Sequence, residues 1–424
     1  MTARVRAWLA FGPGLVFALT VIGPADVISN AAAGAEYGYS LLWALVISLV
    51  FRFVWASTSA KYVLATGDSL LQGYARIGTW AVWLVLISLV VHRHASNLYL
   101  ITILGASADF LVPLPTPHSR AVWGLAGVAL AFVVLFWGKY GTVEKVFKGI
   151  AVLLSLTFVT AAVLSKPDVG AALRSLLMPT LPGAAGLYGA FFVLMALIGT
   201  GSGSLTNLNY SYFIYRKGWR SDGYLNRQRV DLLLSLACMF ALCALVQLAA
   251  AGTLRPVGAQ LKSVDDLSRI LSQTGGRLGG IAFAFGLGAV AFSVFVGATT
   301  GFALIVTDIC RNLLPVFRGT PAGESGNRHP ERDIVYRGSV LFSVLSPLYI
   351  LFIAVRPVWL VLFVSSLTFA LAPLLAAGLL WMTNDRGRLG RHTNGWLTNV
   401  VLAALIVTSL LLACKNAYDV LASR

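Results

Sequence analysis

The feature that most limits what this chain can become is a succession of apolar runs, each about 20 residues long, separated by short polar gaps. At 1.5 Å rise per residue, a helix of that length crosses the ~30 Å hydrocarbon layer of a bilayer. The runs fall at residues 12–36, 41–66, 79–105, 121–138, 146–165, 186–214, 229–251, 279–310, 334–354, 358–382 and 396–414. With 58% hydrophobic and 11% charged residues and a mean hydropathy of +0.81, a soluble core under a polar coat is excluded. The expected class is an all-α membrane protein of about eleven transmembrane helices.

A net charge of +16 raises the question of nucleic acid, and the placement of the 32 basic residues answers it. With the N-terminus inside, 20 fall in inner segments, among them Lys61, Arg76, Arg227, Arg388 and Arg391. Ten fall in outer ones, such as Arg120, Lys166 and Arg255, and Arg52 and Arg93 lie within spans. The positive-inside rule then sets the N-terminus in the cytoplasm and the C-terminus outside. The bilayer is the expected partner, nucleic acid is not, and a bacterial inner (plasma) membrane is the expected location. The first run has no cleavage site before it and reads as retained. Cys238, Cys243, Cys310 and Cys414 lack CxxC spacing and read as packing residues. Trp8, Trp43, Trp123, Trp219, Trp381 and Trp396 fit interfacial belts. Histidines at 92, 94, 118, 329 and 392 form no multi-histidine box, so neither enzyme chemistry nor a cofactor is expected. Oligomeric state is left open.

Function must therefore reside in the bundle. Gly23-Pro24-Ala25-Asp26 interrupts the first run, where proline removes a donor and disrupts the preceding turn. The sixth run contains Gly199-Thr200-Gly201-Ser202-Gly203-Ser204-Leu205-Thr206-Asn207, and unwinding is expected along it. Breaks at positions one and six imply two five-helix repeats of opposite topology, residues 1–185 and 186–384, with an extra helix and C-terminus at 385–424. Broken backbone cannot face lipid, so it lines an internal cavity. Its expected lining is Gly23, Ala25, Asp26, Gly199, Gly201, Ser202, Gly203, Ser204, Thr206 and Asn207, with Thr299, Thr300, Ser366 and Thr368 as accessory polar groups.

Several segments resemble the Nramp family of divalent-metal transporters. Ala33 to Trp43, Lys61 to Gly67, Glu144 to Gly149 with Lys166-Pro167-Asp168, and Leu367 to Leu375 follow the family's first, second, fourth-to-sixth and tenth helices in order. The resemblance implies a LeuT-like 5+5 inverted repeat with helices one and six broken. It also places Gly23 to Asp26 on the family's metal-binding Asp-Pro-Gly-Asn, leaving Asp26 as the one acid, and GTGSGSLTN on the motif that supplies a methionine sulfur. Where the family carries an acidic pair on its proton path, this chain has His92-Arg93-His94, a candidate charge relay. A mid-span arginine faces the interior, and an Asp26 to Arg93 pair is one option. On a helix His92 and His94 diverge by ~200°.

Two substrate classes stay open. A divalent cation of the hard, partly hydrated Mg²⁺ or Mn²⁺ type would use Asp26 with hydroxyls and carbonyls. A small bicarbonate-like anion or polar solute would use N–H donors, Arg93 and the histidines. A non-transporting receptor is the third reading. Alternating access is the expected mechanism for either substrate.

Overall fold

The structure, a computed structural model, describes residues 23–137, 158–183, 186–202, 205–258, 260–313, 333–353 and 355–422. Among the described residues there is no strand, and nine helical segments are long and apolar enough to cross a membrane. These correspond to nine of the eleven predicted runs. The start of the first run, residues 146–157 of the fifth, Trp8, Glu144 to Gly149, and His329 lie outside the described residues. So do Gly203 and Ser204.

In chain order the helices are α1 (Pro24–Tyr37), α2 (Leu42–Thr66), α3 (Leu70–Ile77), α4 (Thr79–Leu111), α5 (Ser119–Trp137), α6 (Val169–Leu177), α7 (Ala190–Ser202) and α8 (Thr206–Arg216). There follow α9 (Leu225–Thr253), α10 (Val264–Asp308), α11 (Ile334–Leu345), α12 (Pro357–Thr383) and α13 (Trp396–Ala422). α1 packs on α9 and α7, α7 lies between α2 and α12, α4 packs on α5 and α10, and α13 covers α12 and α2. Outward-facing Val46, Val50, Ile87, Leu130, Val133 and Leu233 leave the apolar exterior that lipid requires.

The first predicted break appears as a helix start. Gly23 is extended, at φ −108° and ψ 174°, and Pro24 takes the first helical position, where its missing N–H costs no hydrogen bond. Of the glycine run expected to unwind, Gly199 to Ser202 stay helical in α7, Leu205 lies in a turn and α8 starts at Thr206. Here glycine serves close packing: a Cβ on Gly199 would overlap the Ser365 carbonyl of α12, and one on Gly201 would overlap Ser48 of α2. Residues two apart on a helix face roughly opposite ways, so the pair lets α7 sit tightly between two neighbours.

Two other runs differ from expectation for local reasons. α10 begins at Val264, well before the predicted span, and kinks at Gly276, whose φ of 60° only glycine adopts readily. α11 stops at Leu345, because Pro347 cannot continue it, and the chain proceeds as a 3-10 turn over Leu348–Phe352.

Charged residues collect at opposite ends. Asp68 accepts from Arg76 at 2.7 Å and Arg388 at 3.0 Å, and Asp222 accepts from Arg391 at 2.9 Å. Beside them Lys61 donates to Asn394 Oδ1 at 2.5 Å, and Asn394 Nδ2 donates to Thr383 Oγ1 at 2.8 Å. Arg120, at the start of α5, pairs with Asp109 near the end of α4 and with Asp265, and α4 is about 50 Å long.

Asp333 caps α11 by accepting from the Val335 N–H at 2.7 Å and pairs with Arg311 at 3.0 Å. Burial raises its carboxyl, but hydrogen bonds from Arg311 and the backbone outweigh this and hold it below its ordinary value of 3.8. A depressed folded value contributes stability above the unfolded value, and that contribution is lost as pH falls through the folded one. Asp333→Asn should therefore cost about 1–2 kcal/mol at neutral pH. Melting curves of the two proteins should converge in acid below pH 3.8.

Candidate substrate cavity between the two broken helices

A cavity lies where the start of α1 meets the end of α7. The space available to the centres of water-sized molecules is about 80 Å³, several times the ~10–15 Å³ that one water needs. α1 contributes Gly23, Ala25 and Asp26, α7 contributes Gly199 and Thr200, and α8 contributes Asn209. α4 presents His92, Arg93, Ser96 and Tyr99, while Ser365 and Thr368 come from α12, Gly297 from α10 and Arg52 from α2.

Asp26 is buried at the third position of α1, and its Oδ2 accepts from the Gly23 N–H at 2.9 Å. The carboxylate thus closes the helix start and also lines the cavity. The arginine beside it is Arg52, close enough for the two charges to interact. Arg52 also donates to the Thr200 carbonyl at 3.1 Å and to Met239 Sδ at 2.8 Å. It therefore satisfies one of the C-terminal carbonyls of α7 that helix geometry leaves without a partner. Across the break, Asn207 Nδ2 donates to the Ser202 carbonyl at 2.8 Å.

Arg93 takes another partner. Its guanidinium donates to Asn97 Oδ1 at 2.5 Å, and Asn97 Nδ2 donates to the Ser343 carbonyl at 2.7 Å. Among the described residues no ion pair joins Arg93 to Asp26, so the option raised from sequence is replaced by Arg52 as the neighbour of Asp26. His92 Nδ1 lies 3.0 Å from Thr368 Oγ1, which itself donates to the Val364 carbonyl. The proton between His92 and Thr368 is then assigned to Nδ1. His94 points away, toward Ser346 and Tyr349, and stacks on the Tyr349 ring.

Of the residues proposed from sequence, Gly23, Ala25, Asp26, Gly199, His92, Arg93 and Thr368 meet at the cavity. Gly201, Ser202, Asn207, Thr299, Thr300, Ser366 and His94 do not line it. Gly201 and Ser202 pack or bond locally, and Thr300 donates to the Val296 carbonyl at 2.9 Å. Thr299 and Ser366 are buried, and their hydroxyls make no hydrogen bond among the described residues. Thr206 opens α8. Sequence reasoning missed Arg52, Thr200, Asn209 and Ser365. For Arg52 the signal was present, since the argument that turned Arg93 inward applies to any arginine inside an apolar run.

The model of the family described as natural resistance-associated macrophage protein-like matches residues 14–419. The chain belongs to the Nramp family. Among its relatives are the divalent metal cation transporter MntH of Yersinia enterocolitica, 30% identical over 204 residues, and that of Klebsiella pneumoniae, 29% identical over 202. Each match covers 46% of this chain and a little under half of the relative, 48% and 47% respectively. Among solved structures, the Eremococcus coleocola manganese transporter superposes with a TM-score of 0.71. It covers 97% of this chain and 87% of that one at 15% identity. The fold is thus the LeuT-like arrangement of the Nramp family, in an integral membrane protein.

Among the described residues that line the cavity, the charged side chains are one carboxylate, Asp26, and two guanidiniums, Arg52 and Arg93. Among the described residues no three His, Cys, Asp or Glu side chains gather to hold a metal ion. The remaining donors are oxygens of Ser96, Tyr99, Thr200, Asn209, Ser365 and Thr368 and the imidazole of His92. The sulfur of Met239 sits behind Arg52, outside the lining.

Proposed function

We propose that the chain is a secondary transporter that carries a small divalent cation through this cavity by alternating access. The observation that carries the reading is the meeting of a buried carboxylate, Asp26, at the start of α1, with the end of α7, in a chain matched to the Nramp family over nearly its whole length. The named activities of its relatives, divalent metal cation transport and manganese transport, point to the same class.

Among the described lining residues oxygen donors outnumber nitrogen and none carries sulfur, which favours a hard cation such as Mg²⁺ or Mn²⁺ over a thiophilic one. The room for several waters suits an ion that keeps part of its hydration shell. In this reading Asp26 supplies the one negative charge, fixed in place by its bond to the Gly23 N–H. Hydroxyls replace some of the ion's waters. The repeats at 1–185 and 186–384 rock about this point, and 385–424 is an appended unit. The residues gathered around Asp68 and Lys61 mark the cytoplasmic end, in a bacterial inner membrane.

The reading is tested by uptake of Mn²⁺ and Mg²⁺ into proteoliposomes under an imposed gradient. Saturable uptake is expected, reduced at least about tenfold by Asp26→Asn, which removes the only full negative charge from the site. Wild-type protein with no saturable uptake, or an Asp26→Asn protein that transports normally, would overturn it.

A further inference from the structure

We propose that the same cavity holds a subsite for a compact monovalent anion, centred on Arg93 and distinct from the cation position at Asp26. Arg93 lines the cavity with 4% of its surface exposed. Its guanidinium is charged at any pH a protein survives, and no carboxylate lies within ion-pairing distance among the described residues. It donates to a neutral amide, Asn97, while Nε is buried with no acceptor among the described residues. Buried charges are as a rule paired. The one carboxylate among the described lining residues, Asp26, is already engaged by the Gly23 N–H and by the neighbouring charge of Arg52. One positive charge is left without a counter-ion.

An anion supplies what is missing. Asn97 is locked by its own bond to the Ser343 carbonyl, so the guanidinium it holds is fixed in orientation rather than free to reach another partner. Ser96 adds a hydroxyl on the same wall, and α1 directs its N-terminus into the same space, where helix partial charge is positive. A planar guanidinium pairs two N–H groups with two oxygens, so bicarbonate or nitrate fits better than a spherical halide. The subsite deepens the transport reading, and its role in flux rests on that reading. A dication entering a cavity of net positive charge would be accompanied by an anion on Arg93. Occupancy of the subsite does not depend on the cation.

The test is equilibrium titration of purified protein in nanodiscs with sodium bicarbonate, nitrate and chloride, free of divalent metal, alongside Mn²⁺ uptake. Wild-type protein should bind bicarbonate and nitrate saturably and more tightly than chloride. Arg93→Gln should weaken binding at least about 30-fold, and Arg93→Lys should weaken it less while erasing the preference for planar anions. Asp26→Asn should retain anion binding. No saturable anion binding by the wild-type protein overturns the subsite, even if Arg93→Gln fails to fold. So does unchanged binding in a folded Arg93→Gln protein. If anions bind as described but Mn²⁺ uptake is not found, the subsite stands and the cation reading falls. If Mn²⁺ is taken up and no anion binds, the reverse holds.

Discussion

Gly34→Leu is expected to leave little or no monodisperse protein after extraction, with the main size-exclusion peak lost to aggregate. α1 and α9 approach backbone to backbone at this residue. A Cβ added there would overlap the Gln247 carbonyl oxygen and lie 2.9 Å from Ala250 Cβ and 3.1 Å from the Ala251 nitrogen. None of those atoms is the far end of a flexible side chain, so relief requires the helices to separate. Ala31 and Ala35 line the same helix as buried small residues, and Gln247 Nε2 donates to the Gly38 carbonyl at 3.1 Å. Small residues at helix contacts are how membrane bundles gain packing energy. Overpacking by even a few methylenes costs about 1–3 kcal/mol, and leucine adds more than that to a contact that has no room for one carbon. Because α1 also carries Asp26, any surviving fraction should show impaired cation binding. Gly34→Ala should fall between the two. A Gly34→Leu protein that elutes and melts like wild type would contradict the close approach.

Arg52→Met should have the next largest effect, a clear drop in thermal stability. The substitution keeps much of the apolar stem and removes the charged donor to Thr200. That leaves a carbonyl at the end of α7 without its partner and Asp26 without its nearest positive charge. A hydrogen bond from a charged donor contributes about 1.5–3 kcal/mol, and stranding a buried charge costs several more. A loss of roughly 3–5 kcal/mol is expected. Arg52→Lys keeps the charge but not the forked geometry, so it should recover part of the loss. Thermal midpoints of the three proteins, measured in one detergent, check the order. Equal midpoints for Met and Arg would mean that the guanidinium does not hold the cavity together.

The reading from sequence reached the nine described spans and the place where α1 begins, because run length and proline chemistry are local properties. It also separated His92 from His94, since helical periodicity alone requires them to part. It failed where the answer depends on which way a helix is turned. α2, α4 and α12 are apolar on nearly every side, so no periodicity in the sequence indicates which residue meets the cavity. Arg52, Ser365 and Asn209 are selected by contacts with other helices. The glycines at 199 and 201 illustrate a second kind of miss. Glycine in a helical run is compatible with unwinding and with close packing, and only the presence of Ser365 and Ser48 opposite them decides for packing.

The knot of Lys61, Asn394 and Thr383 constrains how such a molecule can work. It fastens the tail of α2, which belongs to the first half of the chain, to the junction of α12 and α13 in the last part. In the proposed rocking of the two repeats, this knot has to serve as a pivot or come apart. An engineered cross-link between residues 61 and 394 distinguishes the two: transport that survives it makes the knot a pivot, and transport that it abolishes makes the knot part of a gate.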